Sequence, residues 1–250
     1  MTRATPQAIL EAAGGRRLAL FLDYDGTLTP IVERPEDAVL AEETRAVLRG
    51  LARRHAVAIV SGRDLQDVRT RVGVEGLHYA GSHGFDIAGP GGGHVHGAAR
   101  GAEPRLAAAA DDLETHTAQL AGVQVERKRF AIAVHYRRAR NTDAPRVEAA
   151  VDRALARHPG LRKTGGKMIF ELRPDVDWDK GRAVRWLIDD LKLQDALPVY
   201  IGDDLTDEDA FRALAGRGVG IAVQEAPQPT AAAYTLRDPD EVRALLAGLA

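Results

Sequence analysis

The chain has 250 residues, 45% of them apolar and 28% charged, and its 34 Lys and Arg against 36 Asp and Glu leave a net charge of −2. That is ordinary globular composition, enough for one or two domains with a real core, and the near-neutral balance argues against a broad nucleic-acid footprint. There is no cysteine, which excludes disulfides, thiolate metal sites and cysteine nucleophiles. Residues 18–22 (LALFL) then form a short apolar run without alternation, the pattern of a strand buried on both faces in a parallel sheet. An amphipathic helix over 42–54 follows, then a second buried run at 57–60, a helical stretch at 64–72 and a third strand at 77–80. Strand and helix in this rhythm predict a doubly wound α/β sheet.

The pattern changes at Gly89–Gly93 (GPGGG), a turn between short extended pieces. A helix over 104–121, alternating strands over 123–128 and 130–138, a helix over 145–157 and an alternating segment over 167–173 predict an antiparallel α+β module. From Asp179 the α/β rhythm resumes: helix 180–192, strand 198–201, acidic loop 202–209, helix 208–215, strand 219–223 and a last helix over 239–249. The expected organisation is a discontinuous core, 1–102 with 174–250, carrying an inserted domain at 103–173.

In doubly wound sheets ligands bind outside the carboxyl ends of the strands. Three predicted strand ends carry polar punctuation there, which places Asp23, Asp25, Ser61, Asp203 and Asp204 on one rim. Carboxylates gathered on a rim repel, and a hard divalent cation offsets the repulsion; Mg²⁺ suits few carboxylates, several waters and a substrate phosphate. Lys180, at a helix start just after Asp179, is placed to add a positive charge. Taken singly, each Asp reads as a turn or capping residue; taken in order at strand ends, they read as a site.

These segments resemble the haloacid dehalogenase-like phosphatases. DYDGTL (Asp23–Leu28) is similar to their first motif, Ser61 in VSGR to the second, Lys180 in DKG to the third and GDDLTDED (202–209) to the fourth. The resemblance implies that Asp23 is the nucleophile forming an aspartyl-phosphate, and Asp25 the general acid and then base. It also implies a Mg²⁺ site from Asp23, the Asp25 main-chain carbonyl and Asp203, with Asp204 and Asp207 as further ligand candidates. Gly26, Thr27, Ser61, Gly62, Arg63 and Lys180 would bind phosphate, electrostatic stabilisation being the main contribution expected in phosphoryl transfer.

Within the insert, alternation puts Phe130, Ile132, Val134 and Tyr136 on one strand face and Ala131, Ala133, His135 and Arg137 on the other. Gln124, Glu126 and Lys128 line up together, as do Lys167, Ile169, Glu171 and Arg173. By pattern alone these mixed charges fit a solvated sheet face or a sugar site equally well. VERKRFAIAVHYR (125–137) and GGKMIFELRP (165–174), followed by DKG, resemble the cap segments of trehalose-6-phosphate phosphatases. That resemblance implies hydrolysis of trehalose 6-phosphate, the last step of trehalose biosynthesis, with Glu126, Lys128, His135, Arg137, Lys167 and Glu171 binding the sugar. PIVERPEDAVL (30–40) and GSHGFDI (81–87) resemble further family segments, whereas GGGHVHGAARG (91–101) matches none.

The alternatives are a phosphatase or mutase acting on another sugar phosphate (sucrose 6-phosphate, mannosyl-phosphoglycerate or a hexose phosphate) and a silent sugar-phosphate binder. No apolar run reaches the length of a membrane span and residues 1–17 hold no apolar leader core, so the expected setting is cytoplasmic. A free-standing, monomeric phosphatase with a small-molecule substrate and neither nucleic-acid nor membrane partner is the expectation.

Overall fold

In the computed structural model, which describes residues 2–166 and 168–250, the first elements are β1 (Thr2–Arg3), α1 (Pro6–Ala13), β2 (Leu18–Leu22), α2 (Glu42–Ala52), β3 (Ala56–Val60), α3 (Leu65–Val72), β4 (His78–Gly81), β5 (Asp86–Gly89) and β6 (Gly92–Val95). Then come α4 (Gly97–Arg100), α5 (Glu103–Thr117), β7 (Gln124–Arg127), β8 (Ile132–His135), α6 (Ala144–Arg157), β9 (Leu161–Gly166) and β10 (Ile169–Pro174). The chain closes with α7 (Lys180–Asp190), β11 (Leu197–Gly202), α8 (Glu208–Leu214), β12 (Val219–Val223), β13 (Tyr234–Leu236) and α9 (Pro239–Ala247). Contacts divide these into two units, residues 1–94 with 178–250, and residues 95–177.

The first unit is an α/β sheet in the order β1-β13-β12-β11-β2-β3-β4-β5-β6 among the described residues. The pairs β11–β2, β2–β3, β3–β4 and β11–β12 are parallel, and β5 turns back antiparallel on β4. Every residue of β2 is buried, which is why LALFL lacks alternation. Leu18, Leu20 and Leu22 join a core on one face with Leu48 and Leu51 of α2, Val68 of α3 and Val242 and Leu245 of α9. Ala19 and Phe21 join a second core on the other face with Val184 and Leu187 of α7 and Phe211 of α8. Each such fully buried large side chain contributes roughly 1.5–3 kcal/mol, so both faces drive the sheet together.

The second unit carries a four-stranded antiparallel sheet, β7-β8-β10-β9. Ile132, Val134 and Leu172 face Leu106, Ala110 and Leu113 of α5 and Val147 and Val151 of α6. The apolar face is therefore helix-covered, as the alternation required.

Elements that the sequence reading left unassigned are short or weakly patterned. Helix α1 has a local signature, with Thr5 accepting from the Ala8 N–H, Pro at the first helical positions and Gly14 left-handed at the C-terminus. Strand β9 is LRKTGG, with no apolar alternation, and is held by its pairing with β10. The strand expected over 130–138 is confined to Ile132–His135, and a turn follows. No helix among the described residues is long and apolar enough to cross a membrane.

Candidate active site

Parallel registration explains why distant motifs meet. Leu22 of β2 pairs with Ile201 of β11 on one side and with Ile59 of β3 on the other. The residues just past these pairs are Asp23, Gly202–Asp203 and Ser61, so three strand ends deliver them to one edge of the sheet. The Asp23 N–H donates to the Ile201 carbonyl at 2.9 Å, fixing the start of the loop.

Asp23 is buried, and so is Lys180, which enters from the first turn of α7. Lys180 Nζ donates to Asp23 Oδ1 at 2.9 Å and to Asp207 Oδ1 at 2.6 Å. Asp207 Oδ1 also accepts from the Tyr200 hydroxyl at 2.6 Å, and its Oδ2 accepts from the N–H groups of Asp203 and Asp204 at 3.0 and 2.9 Å. Asp207 is therefore saturated and anchors Lys180 and the 203–204 turn. Asp204 caps that turn, accepting from the Leu205 N–H. Thr27 Oγ1 donates to Asp203 Oδ1 at 3.1 Å, so its hydroxyl is directed to Asp203 rather than to Asp23.

The electrostatics are those of a charge-rich buried cluster. Burial drives the Asp23 carboxyl well above the usual range; Lys180 opposes this, while Asp207 and Asp203 push it further up. Asp203 is pushed up to about 7 by burial first and then by Asp207. Burial pulls Lys180 down, but Asp207 and Asp23 outweigh it and raise the ammonium above its ordinary value. Tyr200 is raised by burial and by Asp207. One carboxylate oxygen each from Asp23, Asp203 and Asp207 lies within 4.8 Å of the others. With both Asp207 oxygens already accepting two bonds each, Asp23 and Asp203 are the carboxylates of this set left to face a divalent cation. The site thus sets several carboxylates against the single ammonium of Lys180, and an all-oxygen donor set of this kind fits a hard cation.

Gly26 makes the packing of this loop possible. Its φ is +81°, and a Cβ placed there would fall 2.1 Å from Asp203 Oδ2. Gly62 is similarly tight: a Cβ there would fall 2.8 Å from the ring of His83. Ser61 is buried, and its Oγ accepts from the Arg63 N–H at 3.1 Å. The sequence reading gave Arg63 to phosphate; in the structure its guanidinium bonds Asp25, Asp67 and the Pro35 carbonyl.

In the second unit, register places Glu126, Ala133 and Glu171 in one row across β7, β8 and β10. Lys128 Nζ donates to Glu171 Oε1 at 3.1 Å, Arg173 pairs with Glu171 Oε2, and Glu126 bonds His135 Nε2 at 2.8 Å. The His135 contact comes first in holding Glu126 below the usual carboxylate range. The structure thus gathers Glu126, Lys128, His135 and Glu171 on one face. Arg137 is exposed in the turn beyond β8, and Lys167 lies outside the described residues. His94, from the unmatched 91–101 segment, stacks on Trp186 with ring centroids 4.5 Å apart.

Residues 21–240 match the family model described as trehalose-phosphatase. The chain belongs to the trehalose-phosphatase family. A trehalose-phosphate phosphatase of Mycobacterium marinum is 47% identical over 233 residues, covering 90% of this chain and 60% of that protein. A Mycobacterium tuberculosis protein described as an uncharacterized glycosyl hydrolase is 48% identical over 245 residues, 94% of this chain but 18% of its own length. The chain therefore spans less than two thirds of these relatives. Among solved structures, the C. albicans trehalose-6-phosphate phosphatase C-terminal domain superposes with a TM-score of 0.84 at 26% identity, covering 100% of this chain and 99% of that one.

Of the residues in the two polar clusters, the sequence pattern leaves Tyr200 unmarked and places Arg173 on the charged strand face without a site role. Tyr200 sits inside the apolar run LPVYIG, where nothing marks its hydroxyl as aimed at Asp207. Arg173 carried a signal, since it alternates in step with Glu171, and it is buried beside it.

Proposed function

We propose that this chain hydrolyses trehalose 6-phosphate to trehalose and phosphate, with Mg²⁺ as its metal. The observation that carries the chemistry is the buried Asp23 carboxylate, bonded to Lys180 beside Asp203 at the carboxyl edge of the central strands. Membership of the trehalose-phosphatase family supports the choice of sugar.

In this reading an Asp23 oxygen attacks phosphorus, forming an aspartyl-phosphate as the bond from phosphorus to the sugar oxygen breaks. Asp25 gives its proton to the departing sugar oxygen. A water then attacks the aspartyl-phosphate, Asp25 takes the water proton, and phosphate leaves as the Asp23 carboxylate is restored. Ser61, Gly62 and Thr27 line the phosphate side, and Lys180 balances charge on nucleophile and phosphoryl oxygens. Asp23, Asp203 and the Asp25 main-chain carbonyl would hold Mg²⁺, which would supply Lewis-acid stabilisation of the phosphoryl group. The polar face of Glu126, Lys128, His135 and Glu171 takes the sugar hydroxyls, carboxylate and ammonium together suiting vicinal diols. Residues 103–173 serve as the specificity cap.

The test is phosphate release from trehalose 6-phosphate, sucrose 6-phosphate, glucose 6-phosphate and mannosyl-phosphoglycerate, each with Mg²⁺ and with chelator. A strong Mg²⁺-dependent preference for trehalose 6-phosphate is expected. Preference for another sugar would overturn the sugar assignment, and release unaffected by chelator would overturn the metal.

A further inference from the structure

Asp25 stands at the site edge with 41% of its side chain exposed, yet it is not loose. Arg63 Nε donates to Asp25 Oδ2 and Arg63 Nη2 to Asp25 Oδ1, both at 2.7 Å. Two parallel bonds between planar groups fix the plane of the carboxylate as well as its position. The guanidinium is itself clamped: Nη1 donates to Asp67 Oδ2 at 2.8 Å, Nη2 also reaches the Pro35 carbonyl at 2.7 Å, and Cζ lies 5.4 Å from the centre of the Tyr24 ring. Those four bonds take up nearly all of its donor capacity.

The clamp continues into a closed circuit. Asp67 Oδ1 accepts from Arg71 Nε at 2.8 Å, and Arg71 Nη1 donates to the carbonyls of Glu36 and Ala38 at 3.0 and 3.3 Å. The Ala38 carbonyl accepts in turn from the Tyr24 hydroxyl at 2.9 Å, and Tyr24 is the neighbour of Asp25 in the chain. The backbone of Arg63 is also fixed, its carbonyl accepting from the Ser82 N–H at 2.7 Å, while the His83 N–H donates to the Ser61 carbonyl at 2.8 Å. Ser82 and His83 hold φ of 49° and 57°, left-handed backbone that non-glycine residues adopt at a cost. Strain of this kind persists where the surrounding contacts enforce it.

We propose that Arg63 is a positioning residue for Asp25 rather than a phosphate ligand, and that Asp67 and Arg71 of α3 hold it in place, Arg71 being tied to carbonyls of the 35–38 loop. The proposal rests on the reading of Asp25 as the proton donor to the leaving sugar oxygen. When Asp25 carries its proton, one oxygen still accepts from Arg63 while the other donates toward the leaving group. Once the proton has passed to the sugar oxygen, both Asp25 oxygens accept again and the fork closes. Arg63 keeps the carboxyl in one orientation through both states, and misplacement of about an ångström is enough to cost on the order of 100-fold in rate.

The experiment compares kcat/KM for trehalose 6-phosphate with that for p-nitrophenyl phosphate, whose leaving group departs without a proton. Arg63→Ala, Arg63→Lys and Asp67→Asn are measured against Asp25→Asn as the reference, with inhibition by inorganic phosphate as a second readout. In Asp25→Asn, kcat/KM for the sugar phosphate falls roughly 100- to 10,000-fold and for the aryl phosphate far less. Arg63→Ala and Arg63→Lys give the same split at about 10- to 100-fold, with inhibition by phosphate unchanged. Asp67→Asn gives a smaller split of the same sign, and together with Arg63→Lys it carries the comparison if Arg63→Ala does not fold. Equal losses on both substrates in the Arg63 variants, with weakened phosphate inhibition, would overturn the positioning role and make Arg63 a phosphate ligand. Equal losses in Asp25→Asn would overturn the proton-donor reading, and the role of Arg63 with it.

Discussion

Gly26 and Asp203 interlock: the hydrogen that glycine carries in place of a side chain leaves the only room for the Asp203 carboxylate, since a Cβ there would lie 2.1 Å from Oδ2. The φ of +81° adds a second demand for glycine. Gly26→Ala should therefore displace Asp203 and lower phosphate release at least about 100-fold, the size of effect that misplaced catalytic geometry produces. The backbone strain alone costs roughly 1–2 kcal/mol of stability. Kinetics alongside a thermal melt check this; a variant with full activity would show that Asp203 has no part in turnover.

Lys180 is the cation between Asp23 and Asp207. Lys180→Met would leave two buried carboxylates without it, and breaking a buried ion pair from one side costs about 3–5 kcal/mol. Loss of measurable turnover should accompany a large fall in the denaturation midpoint. Tyr200→Phe removes one bond to the same Asp207 oxygen and should cost only about 1 kcal/mol, with activity reduced several-fold. Denaturant titration of both variants checks the order; equal effects would contradict the central place given to Lys180.

Glu171 accepts from Lys128 through one oxygen and from Arg173 through the other. If this face reads the sugar, Glu171→Ala should cut kcat/KM for trehalose 6-phosphate by about 10- to 100-fold, the loss expected from unpairing buried polar groups, and alter p-nitrophenyl phosphate hydrolysis little. Equal losses on both would make Glu171 a structural ion-pair member.

His55 provides a pH signature separate from the site. Its Nδ1 accepts from the Leu18 N–H and its Nε2 faces the Leu249 carbonyl, both at 3.2 Å, so the ring is held neutral. Burial first, then Arg54 and Arg17, pull it below its ordinary value of 6.5, against the raising effect of the Leu249 bond. The unfolded chain thus takes up the proton first as pH falls. The contribution is fully present above pH 6.5 and is lost as pH drops toward the lower folded value. Asp203, pushed up to about 7, acts with the opposite sign across this window, so the test is the difference between parent and variant. His55→Gln should raise the urea midpoint at pH 5.5 relative to that at pH 7.5 when compared with the parent, and an unchanged pH dependence would contradict the assignment.

How much of this was legible in the sequence follows from the physics of each part. Motif residues at strand ends were readable because parallel strands such as LALFL need apolar residues on both faces and change character abruptly where they stop. The polar sheet face was readable through its period of two. What could not be read was side-chain direction across long sequence separations. Nothing in VSGR says that Arg63 turns to Asp25, 38 residues away, and nothing in VYIGDDLTD says that Asp207 saturates itself on Tyr200 and Lys180. Strand β9 was invisible because partner pairing, not local propensity, makes it a strand.

The central claim is that Asp23 carries the phosphoryl group. Asp25→Asn mixed with p-nitrophenyl phosphate and Mg²⁺ should be phosphorylated, because that leaving group needs no acid, and should then stall for want of a base. Intact-mass measurement after acid quench should show one added phosphoryl group, mapped to Asp23 and absent from the Asp23→Asn/Asp25→Asn double variant. No added mass in Asp25→Asn, from a preparation whose parent enzyme turns over, or a phosphoryl group on another residue, would contradict the account.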